Sequence, residues 1–163
     1  MTSRSKSGLT KSKLTGLIPS ILAAGFTAGS FDLLAASVIY TATPYQVMKS
    51  ISGGWYGKGP KGMPEAIVGA ASHYAILTAA AAIYALAALK LPVLWRRPLL
   101  IGSLFGAGIF CFMHFVVLPL TPLGFHMKPT PLLALDFLAN VLMSGAAIAL
   151  ILSAGMRMLE EAR

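Results

Sequence analysis

Apolar residues run along this chain in four long blocks separated by short polar stretches, without the apolar/polar alternation of a half-buried strand. The blocks extend roughly from Leu17 to Ala42, Ala66 to Leu89, Leu99 to Leu118 and Leu132 to Met156, and none contains Lys or Arg. At a helical rise of about 1.5 Å per residue, each is long enough to cross a hydrocarbon layer of about 30 Å. The pattern predicts an all-α fold, a four-helix transmembrane bundle in one membrane domain, 1–163. The first long connection, Thr43 to Pro64, predicts a short interfacial helix at Tyr45–Ile51, followed by a Gly-rich run through Gly53, Gly54, Gly57, Gly59 and Gly62. Lys90 to Pro98 predicts a tight turn. The last connection is Pro-rich, with Pro119, Pro122, Pro129 and Pro131.

Composition removes the soluble alternative: 56% of residues are hydrophobic, 11% are charged, and the mean hydropathy is +0.76. The 13 basic residues against 5 acidic ones raise the question of nucleic acid. Their placement between apolar blocks, without interleaved aromatic residues, points to membrane orientation and excludes a nucleic-acid partner. With four spans, Arg4, Lys6, Lys11, Lys13, Lys90, Arg96, Arg97, Arg157 and Arg163 share one side, while Lys49, Lys58, Lys61 and Lys128 share the other. Nine against four predicts both termini in the cytoplasm, with residues 1–13 as a basic cytoplasmic tail. Tyr40, Tyr45, Trp55 and Tyr56 are expected at the outer interface and Trp95 at the inner one. The first block is too long for a signal-peptide core and reads as an uncleaved helix.

Ionisable groups inside such blocks need a reason, because hydrocarbon tolerates them only when they are paired or face the bundle interior. Asp32, His73, His114 and Asp136 are four such cases, with Asn140 beside them. Gly25, Gly29, Asp32 and Ala36 share a helical stripe, Gly69 lies one turn before His73, Gly102 and Gly106 lead through Phe110 to His114, and Asp136, Asn140 and Ser144 form another ridge. Small residues let helices approach, so Gly25, Gly29, Gly69, Gly102 and Gly106 are expected at helix contacts and the polar groups on inward faces. All five polar residues lie nearer the outer ends of their blocks, which predicts a common polar layer under the periplasmic surface.

Two carboxylates in a dry layer must share a proton, a histidinium, a cation or water. Four readings stay open: a hydrogen-bond network joining the helices, a proton or cation relay, a metal site drawn from His73, His114, Asp32 and Asp136, or haem b between His73 and His114. No cofactor is predicted outright, since no HxxxH or ExxH spacing supports a metal. The single Cys111 excludes an internal disulfide and a CxxC centre, and reads as a packing residue. Glu65 reads as a helix N-terminal carboxylate and His126 as a loop residue. Met127, Met143, Met156 and Met158 read as packing, and the Gly59–Gly62 stretch lacks the spacing of a phosphate loop. There is no nucleophile–base pair at recognisable spacing.

Gly102, Gly106, His114, Pro119-Leu120 and Thr121-Pro122 resemble the third span of the YagU-like family of bacterial inner-membrane proteins, whose activity is unassigned. Asp136 matches an acidic residue of that family's fourth span and His73 a histidine of its second, whereas Asn140 stands where the family has His. The resemblance implies an inner-membrane location and four spans, and supplies no substrate. The resulting expectation is a non-enzymatic accessory or interaction subunit, a homo-oligomer or part of a larger membrane complex, with a proton- or cation-conducting oligomer as the alternative.

Overall fold

In the computed structural model of the chain, residues 3–58, 62–123 and 129–161 are described, and their regular structure is entirely helical. In chain order the helices are α1 (Ser3–Ile39), α2 (Pro44–Ile51), α3 (Gly53–Tyr56), α4 (Met63–Ala88), α5 (Val93–Arg96), α6 (Pro98–Leu120) and α7 (Pro131–Glu161). Four of them are long and apolar enough to cross a membrane: α1 over Thr15–Ile39, and all of α4, α6 and α7. The 26 residues of α4 make a rod of about 39 Å at the standard rise.

Local chemistry sets the helix ends. Thr43 caps α2, accepting from the Gln46 backbone N–H while the Gln46 side chain accepts from Thr43 N at 2.7 Å. Glu65 does the same for α4, accepting from Gly62 N at 2.7 Å, and Thr130 accepts from Leu133 N at the start of α7. Pro44, Pro64, Pro98 and Pro131 sit in first turns, where a missing N–H costs nothing. α1 stops at Ile39, short of the expected Ala42, because Thr41 takes a left-handed φ of 50° and turns the chain into α2.

α1 packs along α4 on one side and α7 on the other, and α6 packs on α7. No comparable interface joins α4 to α6. The buried contacts are dominated by small side chains, including Ala24, Ala28, Ala81, Ala85 and Ala149. This suits helices that associate by close van der Waals packing rather than by expulsion of water. Away from the long connections, larger groups fill the bundle: Leu17, Tyr84, Ile148 and Leu152 are all fully buried or nearly so. There the Tyr84 hydroxyl donates to Leu94 O at 2.8 Å, and its ring meets Phe105 edge-on at 5.0 Å, joining α4 to α6.

Several expectations are corrected at this stage. Lys90–Pro98 contains the short helix α5 instead of a simple turn. That helix carries Trp95 into the core, under the Arg96 guanidinium at 5.5 Å, so Trp95 does not project as an interface anchor. Cys111 is exposed on the outside of the bundle, as are Met143 and Met158, because each lies on the face of its helix turned away from the neighbouring helices, whereas Met156 packs inside as expected. Gly59, Pro60, Lys61, His126, Met127 and Lys128 lie outside the described residues.

Candidate functional site

The gap between α4 and α6, near the two long connections, forms a cavity of about 1000 Å³. Its floor is polar. Asp32 from α1, His73 from α4, His114 from α6, and Asp136 and Asn140 from α7 all line it, so the tertiary fold brings the five polar residues to one space. The walls are apolar, with Ala71, Ala75 and Ile76 on the α4 side and Ile109, Met113 and Val117 on the α6 side. Val47, Ser50 and Ile51 of α2 and Trp55 of α3 close the end nearest the long connections.

The glycines explain how these elements come so close. A side chain at Gly69 would run into the Met48 carbonyl, so this glycine seats the short helix α2 rather than a second spanning helix, as its position in a long apolar block had suggested. Trp55 Nε1 then donates to Ser72 Oγ at 2.9 Å, fastening α3 to α4. Gly25 and Gly29 face Thr78, Tyr74 and His73 across the α1–α4 contact, and Gly102 and Gly106 face Gly145, Ala149 and the Asn140 backbone across the α6–α7 contact.

His73 is buried and its role is set by its bonds. Its Nε2 lies 2.8 Å from Gly29 O, and since a carbonyl only accepts, Nε2 carries the proton. Nδ1 therefore faces Asp32 Oδ2, 4.0 Å away, with a lone pair unless it is protonated as well. Side-chain exposures of 7% and 22% keep this couple away from free solvent. A carboxylate opposite an imidazole lone pair is repulsive, so a proton on either partner makes the couple attractive. The Asn140 amide and the fully buried Ser144 hydroxyl are turned toward Asp32, although Ser144 Oγ reaches no hydrogen-bond partner.

The second carboxylate has a different setting. Tyr40 Oη donates to Asp136 Oδ2 at 3.2 Å, tying the end of α1 to α7, and His114 lies close enough for its charge to act on Asp136. His114 donates from Nδ1 to Phe110 O at 3.0 Å and stacks on the Phe110 ring at 3.9 Å. Asp136 also lies within electrostatic reach of Asp32. The sequence alone marks Tyr40 only as an interface aromatic. Asp32, Ala36 and Tyr40 fall at four-residue steps, and that stripe was the signal for it.

Both helices facing the far wall contain a wide turn with i→i+5 bonding, at Met113–Val117 in α6 and Asn140–Gly145 in α7. In a regular helix a four-residue step drifts by about 40°. The wide turn takes up more residues per revolution and so keeps Ser144 in line with Asn140. Such turns cluster at functional sites and have no reliable sequence signature.

This geometry narrows the open chemical readings. Among the described residues, no three His, Cys, Asp or Glu side chains converge to hold a metal, so His73, His114, Asp32 and Asp136 do not form a coordination set. Haem b between the two histidines would need a ring nitrogen of each aimed at a shared space. His73 instead commits Nε2 to Gly29 and turns Nδ1 to Asp32, so it does not fit. Comparison with family models, with curated proteins and with solved structures finds no match for this chain.

Proposed function

We propose that this is a non-enzymatic multi-pass protein of the bacterial inner membrane, with both termini cytoplasmic, whose cavity between α4 and α6 takes up a lipid-soluble ligand as an accessory subunit of a homo-oligomer or larger membrane complex. The observation that carries the reading is that five polar residues from four long helices line one apolar-walled space. A network serving only to join helices needs no such space beside it. Both imidazoles donate to backbone carbonyls and Tyr40 donates to Asp136, so the polar groups are held in place around the cavity. An apolar-walled space with a few convergent polar groups is the usual form of a small-molecule site, and its volume lies at the upper end of that class.

Conduction by a single copy has less support. Leu77, Ala81, Tyr84, Ile148 and Leu152 fill the bundle beyond the polar floor, leaving a blind pocket in place of a polar path. The orientation rests on the excess of basic residues on the side of the termini and of the α4–α6 connection.

The test is native mass spectrometry after mild solubilisation, comparing the parent with Ala75→Phe. Ala75 lines the cavity from an exposed position on α4, so the larger ring fills the space without entering a helix contact. A small-molecule adduct on the parent that disappears in Ala75→Phe is the expected result. A parent without any adduct, or an adduct unaffected by the substitution, overturns the proposal.

A further inference from the structure

We infer that the ligand of this cavity is a free amphiphile with one cationic nitrogen as its head and an apolar body, and that Asp32 and Asp136 receive the head. The inference rests on the cavity reading above and deepens it. Charge complementarity selects the head group. The described residues lining the cavity include two carboxylates and no Lys or Arg. The Lys49 ammonium, on neighbouring α2, lies over the Tyr45 ring at 5.1 Å and acts on Glu65, and Lys49 is not among the lining residues.

Each imidazole can lend a proton to its carboxylate, but neither brings a permanent positive charge. A ligand cation can therefore take the place of a proton at either acid. Tyr40, Trp55 and Phe110 are also among the lining residues, and aromatic side chains are suited to an alkylated ammonium.

The walls select the body. Ala71, Ala75, Ile76, Ile109, Met113 and Val117 supply apolar contact, and among the described residues α4 and α6 make no close interface, which leaves room between them for an apolar body. A phospholipid amine is a poorer fit. Its phosphate would travel with the ammonium into the field of two carboxylates, where like charges repel. The commitment is therefore to a free lipophilic ammonium.

The probe is octyltrimethylammonium, compared with its uncharged carbon isostere. Binding to the full chain in phosphatidylcholine nanodiscs is measured by equilibrium dialysis, with empty discs as the partition blank. The cation should bind about tenfold more tightly than the isostere, as expected when a partly desolvated carboxylate pairs with it. Asp136→Asn and Asp32→Asn should each lower cation affinity by several-fold and leave the isostere unchanged. Nanodiscs containing phosphatidylethanolamine should not compete.

Equal binding of cation and isostere by the parent overturns the cationic class while leaving the cavity reading standing. Saturable binding of neither overturns both. Retention of the full cation preference in both variants overturns the assignment to the carboxylates, and competition by phosphatidylethanolamine overturns the free amphiphile. Elution of each variant at the parent's position in size-exclusion chromatography checks its fold, and the cation–isostere comparison needs only the parent.

Discussion

Replacing Gly106 with Ala should weaken the bundle, whereas the same substitution two residues later, at Gly108, should strengthen it. Both glycines lie in α6, and alanine gains about 0.5–1 kcal/mol over glycine in a helix at either place. The surroundings then separate them. A Cβ at Gly106 would be driven onto the Asn140 carbonyl, with the carbonyl carbon at 3.0 Å and Gly145 Cα at 3.1 Å. Carbon atoms pack best at about 3.5–4.0 Å, and these neighbours are backbone, so relief requires α6 and α7 to move apart. Overpacking of this kind costs about 1–3 kcal/mol, and backbone neighbours that cannot rotate away place this site in the upper half of that range, which leaves Gly106→Ala less stable by about 1–2.5 kcal/mol after the helix gain. At Gly108 nothing lies within 4 Å, so only the gain remains. Reversible unfolding in mixed dodecyl sulfate and neutral-detergent micelles, followed by helical circular dichroism, measures both against the parent. Shifts of the same sign for the two variants, or a Gly106→Ala variant as stable as the parent, would refute the close α6–α7 contact on which the floor of the cavity depends.

Two further outcomes can be measured in the same system. Burial, and then the charge of Asp136 which it also bonds, push the Tyr40 phenol from 10.0 up to about 12. Because the folded state holds this proton more tightly, its contribution is complete below pH 10 and is lost as pH rises toward 12. Melting temperature should therefore fall more steeply across that window in the parent than in Tyr40→Phe, and superimposable profiles would dismiss the effect. Ile148→Ala removes a fully buried side chain of α7 in the bundle core and should cost about 2–4 kcal/mol. Leu142→Ala, at an outward position 63% exposed, should stay within about 0.5 kcal/mol. Equal losses would contradict the assigned inward and outward faces of α7.

The four helices long and apolar enough to cross a membrane were legible in the chain because a long apolar block has few options in hydrocarbon. Every backbone N–H and C=O must be bonded within the segment, and a helix does this without a partner. Helix ends were less legible: Thr41 ends α1 early through a left-handed turn that the apolar count passes over. The short helix expected at Tyr45–Ile51 is α2, whose start is fixed by the local cap of Thr43 with Gln46, whereas α5 was illegible, because Trp95 is drawn inward by tertiary packing.

Asp32, His73, His114, Asp136 and Asn140 stood out singly, since charge and amide groups in an apolar block are costly and face inward. Small-residue stripes indicated which faces would meet, but not which helix would fill each one. Gly69 meets α2 and not another spanning helix because only the folded chain brings the Met48 carbonyl to it. Whether the polar side chains bond to one another or surround a space depended on distances between helices. Those distances follow from the packing of α1 on α4 and α7, the looseness between α4 and α6, and two widened turns. Periodicity along one helix determines the face a residue occupies; its neighbours across the bundle are set by how four such faces fit together, which is a property of the folded chain alone.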